Sequence, residues 1–207
     1  YNIDRNISAL YYLMNPLYNN RWKEGEDFVL IDPSKNDYET QLRTLKNKML
    51  DKHNIRGSTP LHKITKYIKT SLSSFISDTN IKTYPVCLNI ITDGEPNDKR
   101  QFENELRYIA NNYNIFLVIN LCTDNDNTID YYNDLDTKIG SELGGLDVVD
   151  DIEGEQKEII KAGNTFITYS YDIHVCRMAG CNSVVSDLLD EYILSVFHSN
   201  KLVKELL

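Results

Sequence analysis

Apolar residues along this chain keep two different rhythms, and the switches between them predict an alternation of strands and helices. Val86 to Thr92 (VCLNIIT) and Ile115 to Leu121 (IFLVINL) are continuous apolar runs, the composition of central strands covered on both faces of a parallel sheet. Between them Phe102, Leu106 and Ile109 recur on one helical face after Asn97 and Asp98, residue types that start helices. A strand, helix, strand unit with parallel neighbouring strands follows.

Upstream, Phe28 to Ile31 (FVLI) reads as a short strand before the Asp32-Pro33 turn. Tyr38, Leu42, Leu45 and Met49 mark a helix closed by the loop around Asn54 and Gly57. Leu61, Ile64, Ile68, Leu72, Phe75 and Ile76 mark another, begun by Pro60, whose missing N–H costs nothing in a first turn. Downstream, Leu146 to Val149 predicts a strand, and Glu153 to Ala162 a helix stopped by Gly163. From Ile167 to Val175 the odd positions are apolar or aromatic and the even ones polar, which predicts a half-exposed edge strand or hairpin. Past Ser183, Val184, Leu188, Leu189, Val196 and Phe197 predict a long amphipathic helix.

These elements place the chain in the α/β class, as a Rossmann-like, doubly wound, mainly parallel sheet flanked by helices. Its 207 residues fit one such domain over 1–165, with a C-terminal strand and helix extension over 166–207 packed on the same domain. Hydrophobic residues at 41% and charged residues at 26% suit a folded core rather than disorder.

Charge and cysteine usage narrow the partners. A net charge of -9 with no cluster of Lys or Arg argues against a phosphate backbone as partner. No window approaches the ~20 apolar residues of a membrane span, and Tyr1 to Leu10 lacks the basic-then-apolar build of a signal peptide. Cys87, Cys122, Cys176 and Cys181 are too few and too unevenly spaced for a disulfide framework, which points to a reducing, cytoplasmic setting. Two of them lie in apolar runs where buried thiols are common, and Cys176 with Cys181 lacks the rhythm of a zinc site. His53, His174 and His198 have no ligand-spaced neighbours and are expected at the surface or an interface.

Three separated segments carry oxygen-bearing side chains where such a sheet places its loops: Asp4-Arg5-Asn6-Ile7-Ser8, Gly57-Ser58-Thr59-Pro60-Leu61 and Ile91-Thr92-Asp93-Gly94-Glu95-Pro96. Ligands of open α/β sheets sit beyond the carboxyl ends of the strands. Carboxylates, hydroxyls and amide oxygens are the donors that a hard cation such as Mg²⁺ selects.

At these residues the chain resembles the von Willebrand factor A family, whose metal-ion-dependent adhesion site combines a DxSxS stretch, a Thr and an Asp from three loops. Ile-Thr-Asp-Gly-Glu-Pro after an apolar strand is the most specific match, and Gly-Ser-Thr-Pro-Leu at a helix start is the second. The first loop departs from the pattern: Asn6 stands for the first Ser and Ile7 for a small residue. The resemblance implies that Asp4, Asn6, Ser8, Thr59 and Asp93 hold Mg²⁺ or Mn²⁺. The ion would then capture an Asp or Glu of a partner protein.

Two other readings stand beside this one. In a metal-free structural module of a larger assembly, Thr59 is a helix cap and Asp93-Gly94 an ordinary turn. A metal-dependent hydrolase would use Asp93 or Asp32, but the chain has no GxSxG elbow, no GxxxxGK[ST] loop and no GxGxxG, and an enzyme is not expected. Asp124-Asn125-Asp126-Asn127 opens like a calcium loop but has neither Gly at the sixth position nor Glu at the twelfth, and reads as a loop with a helix cap.

Overall fold

A computed structural model describes residues 8–15, 22–24, 26–51, 57–78, 86–113, 115–140, 146–180, 188–190 and 192–206. Two sheets organise them. Strands β1 (Ala9–Tyr12) and β2 (Phe28–Ile31) form an antiparallel pair. Strands β3 (Val86–Thr92), β4 (Ile115–Leu121) and β5 (Leu146–Val149) form a parallel sheet in the order β3-β4-β5. The helices are α1 (Tyr38–Leu50), α2 (Leu61–Asp78), α3 (Lys99–Asn112), α4 (Asp126–Leu135), α5 (Ile152–Lys161), α6 (Tyr171–Met178) and α7 (Val196–Leu206). A five-residue π-turn, Asp136–Gly140, extends α4.

The three-stranded sheet is covered by helices, as continuous apolar strands require. On one face Leu117 and Ile119 of β4 and Leu146 of β5 pack with Leu61 of α2, Phe102, Leu106 and Ile109 of α3, and Tyr132 of α4. The three α3 side chains are fully buried, and each is worth about 1.5–3 kcal/mol relative to exposure. Asp98 caps α3 by accepting from Gln101 N–H, and Asn125 caps α4, so the residue types that start helices in the sequence do so here. The antiparallel pair joins the same core through Tyr12, Met14 and Phe28.

The opposite face meets the end of α6. Asn89 of β3 donates to the Met178 carbonyl, and Asn120 of β4 donates to both Asn89 Oδ1 (2.6 Å) and that carbonyl (3.2 Å). Beyond it lies a smaller core of Ile159, Tyr169, Leu189 and Leu194.

Several expectations are corrected. Ile167 to Val175 is not a strand: residues 167–170 are irregular, and Ser170 caps α6 by accepting from Ile173 N–H. The two-residue alternation misleads because α6 buries His174 and Arg177, polar residues whose bonds are made inside, and exposes Tyr171 and Val175. His174 is accordingly an interior residue, hydrogen-bonded through Nδ1 to the Tyr169 hydroxyl at 3.2 Å. Among the described residues the tail is not one continuous helix: residues 188–190 are a turn, 193–195 are irregular and Val196–Leu206 is helical, while Val184 lies outside the described residues. Cys87 and Cys122 are exposed rather than buried. β3, expected to be central, is an edge strand among the described residues.

Candidate functional site

The loop before α2 and the loop after β3 meet. An ideal Cβ at Gly94 would lie 3.0 Å from Thr59 Oγ1, so the bare backbone of Gly94 allows the hydroxyl its place. Asn97 ties the loops together. Its Oδ1 accepts from Thr59 N–H (3.1 Å), its Nδ2 donates to Ser58 Oγ (2.8 Å), and its own N–H donates to the Thr59 carbonyl (2.9 Å).

The turn after β3 is braced from below. The Thr92 hydroxyl donates to the Gly94 carbonyl (3.0 Å) and accepts from Gly94 N–H (3.3 Å), and the Tyr132 hydroxyl donates to the same carbonyl (3.0 Å). Burial holds the Tyr132 phenol well above its ordinary range, and the nearby Glu95 and Asp93 push it further up against the opposing Thr92 hydrogen bond. Tyr132 therefore stays a neutral donor.

Helix α2 starts at Leu61, one residue too late for Thr59 to be its cap, and the hydroxyl makes no hydrogen bond among the described residues. The Asp93 carboxylate is exposed and likewise accepts none there.

The surrounding rim is acidic. Glu95 is paired with Lys99 (2.7 Å), which also lies 4.3 Å from the centre of the Tyr131 ring. Partial desolvation of the thiol raises Cys122 above its usual range although the residue is largely exposed, and the charge of Asp93 adds to the rise. At the end of β5, burial raises the Asp150 carboxyl, with Asp151 and Asp124 contributing. Carboxylates thus follow the carboxyl ends of all three parallel strands, a field that favours a cation.

Ser8 is not brought to this point. It precedes β1, across from Asp32, and hydrogen-bonds that carboxylate, which also accepts from Ser34 N–H (3.0 Å) and Ser34 Oγ (2.7 Å). These bonds hold the Asp32 carboxyl below its usual range, those from Ser34 most strongly. At ~3.3 Å per residue, β1 separates Ser8 from Leu13 by about 16 Å. It is the far end of this strand that approaches the loops, where Asn15 Nδ2 donates to the Ser58 carbonyl at 2.9 Å. Asp4 and Asn6 lie outside the described residues.

The chain matches no family model, no curated protein and no solved structure. Among the described residues, no helix is long and apolar enough to cross a membrane.

A second polar constellation lies on the other side of the sheet. Arg177, 2% exposed, pairs with Glu155 through Nη1, and through Nη2 with Asp147 (2.9 Å) and Asp190 (3.0 Å). Burial works against the guanidinium charge, but the three carboxylates outweigh it and hold Arg177 protonated. The acids fare less well, because three share one cation. Burial raises the Asp147 carboxyl and lifts Glu155 to about 7 despite Arg177. An oxygen each of Glu155, Glu158 and Asp190 lies within 4.8 Å of the others.

Sequence reasoning missed Asn97, Asn15 and Arg177. Asn97 has a local signal, since with Asp98 it is of a residue type that starts helices. Arg177 has none, its three partners lying 30, 22 and 13 positions away.

Proposed function

We propose that the chain is a von Willebrand factor A-like binding module, Rossmann-like and doubly wound, with the extension over 166–207 packed on it. In this reading it holds Mg²⁺ or Mn²⁺ above the carboxyl ends of its parallel strands and captures an Asp or Glu side chain of a partner protein. The supporting observation is the seating of the Thr59 hydroxyl against Gly94, beside an Asp93 carboxylate that makes no hydrogen bond among the described residues.

The donors fit the ion. A carboxylate supplies charge, a hydroxyl supplies a dipole without further charge, and Mg²⁺ keeps waters in its remaining positions. Thr59 and Asp93 would hold it, while Asp4 and Asn6 belong to the ligand set by resemblance alone. An ion so incompletely neutralised retains affinity for one more acidic oxygen, which is the chemistry of capture. Binding rather than catalysis is the proposed role, in a reducing, cytoplasmic setting.

One observation favours a second reading, a metal-free structural module of a larger assembly. Ser8 bonds Asp32 at the opposite end of β1, which leaves two oxygen donors among the described residues where the first reading calls for more.

Thermal melting against Mg²⁺ and Mn²⁺ separates the two. A ligand of the native state at about 100 times its Kd adds about 2.7 kcal/mol, or ~5–10 °C in a chain of this size. The shift should vanish in Asp93→Ala and Thr59→Ala, and Mn²⁺ should broaden the NMR signal of Gly94 first. No shift in the native chain leaves the structural module standing.

A further inference from the structure

Helix α2 is basic in an acidic chain. It carries Lys63, Lys66 and Lys69 with no acidic residue before Asp78, whereas the whole chain has a net charge of -9. Lys69 has a structural task, pairing with Glu105 of α3 and lying 4.7 Å from the centre of the Tyr108 ring. Lys63 and Lys66 are exposed and form no ion pair among the described residues. Lys63 stands in the first turn of α2, where the helix dipole disfavours a cation and an acid is the usual choice. A charge held against the local preference, with no internal carboxylate to meet it, suits an anion from outside.

The two lysines share a groove. With Trp22, Tyr67 and Thr70 they line a cavity of about 290 Å³ that has no carboxylate in its walls. Trp22 and Tyr67 form its aromatic side, their rings 4.8 Å apart. The Trp22 indole N–H donates to the Leu13 carbonyl (2.7 Å), and the Thr70 hydroxyl donates to the Lys66 carbonyl (3.0 Å), so the walls are tied in place. The cavity is just below the ~300–1,000 Å³ of pockets that engulf a whole small molecule, a size suited to one or two side chains of a crossing peptide. It also adjoins the candidate ion site: Asn15, two residues past Leu13, donates to the Ser58 carbonyl beside Thr59 (2.9 Å), and Lys63 follows Thr59 by four positions.

We propose that the groove between Trp22 and α2 binds a short acidic segment of a protein partner. An aromatic or large apolar side chain of that segment lies against Trp22 and Tyr67, and flanking carboxylates meet Lys63 and Lys66. Charge complementarity selects the occupant: the strand ends beside the ion site carry Asp93, Asp124 and Asp150 and repel an acidic chain, while α2 attracts it. A phosphate backbone is the poorer match, because a long polyanion meets the negative charge of the remaining surface and a short segment does not. That the same partner presents an Asp or Glu to the ion rests on the binding-module reading. The contacts in the groove need no cation.

Trp22 is the single tryptophan of the chain, so its fluorescence reports the groove directly. The probe is the capped peptide Asp-Gly-Phe-Glu-Glu-Gly, titrated into the full chain with Mg²⁺ and again with a chelator. Binding should shift the Trp22 emission saturably and weaken as salt is added. Lys63→Glu combined with Lys66→Glu, both at exposed helical positions, should weaken it at least about tenfold with the melting temperature retained. Three results would each overturn the proposal: no change in emission at millimolar peptide, equal affinity in the double variant, or equal affinity for a peptide with Lys in place of both Glu. The two readings fail separately. Binding lost in the double variant but indifferent to Asp93→Ala and to the chelator supports the groove and counts against the ion, whereas binding that needs Asp93 and Mg²⁺ but not the lysines removes the groove and keeps the ion.

Discussion

The Thr59 hydroxyl stands 3.0 Å from where a Cβ would be at Gly94, so one loop's side chain rests on the other loop's missing one. Gly94→Ala should push Thr59 by a few tenths of an ångström and cost little stability. Its effect on Mg²⁺ should be larger, because displacing a group that positions a metal ligand typically costs 10–100-fold in affinity. Mg²⁺ titrations of the two proteins, followed by melting temperature, measure this. Equal affinities would remove Thr59 from the site.

Asn97→Ala deletes two side-chain hydrogen bonds that join the loops, those from Thr59 N–H and to Ser58 Oγ. At ~1 kcal/mol for each, stability should fall by about 2 kcal/mol, read by denaturant unfolding. Asn97→Asp retains the acceptor and should recover about half of the loss.

Arg177→Met leaves three carboxylates facing one another in the interior. Removing one member of a buried charged cluster costs about 3–5 kcal/mol, and the loss should shrink as the pH is lowered and the acids take up protons. A melting deficit that is the same at every pH would contradict this arrangement.

Glu155 supplies a pH dependence in the native chain. Its carboxyl titrates near 7, above the ordinary 4.5, so the folded state holds this proton more tightly than the unfolded chain does. The stability so gained is fully present below about 4.5 and is lost as the pH rises through 7. Denaturation midpoints between pH 5 and 8 should fall with rising pH, and Glu155→Gln should flatten that slope.

Asn164, fully buried, grips the tail through Leu189 and Tyr192 carbonyls (2.7 Å each) and Leu194 N–H (2.8 Å). Asn164→Ala strands these groups, each at about 1–3 kcal/mol where burial persists. Limited proteolysis should then cut the chain near residues 188–195, while β3 and β4 stay protected in hydrogen exchange.

The parallel sheet and most helices were legible because their signals are local. The apolar runs of β3 and β4, the spacing of Phe102, Leu106 and Ile109, and the helix start at Asp98 each sit within one element. α6 was not legible, since its buried residues are His174 and Arg177, whose partners come from other parts of the chain. For the candidate site, Thr59 and Asp93 stand out in the sequence because each ends or opens a recognisable element. Ser8 was grouped with them by motif spacing alone, and spacing carries no information about which end of β1 faces the loops. Asn97 escaped because a polar residue at a helix start already has an ordinary explanation there.

Asn164 holds main-chain atoms, and its contacts are indifferent to which side chains the tail carries. Tyr192, Val196 and Phe197, all turned outward, can thus be exchanged without loosening the anchor at Asn164. Anchorage and outer chemistry are separable in this tail, and natural variation or protein engineering can rewrite its outer face while leaving the attachment as it is.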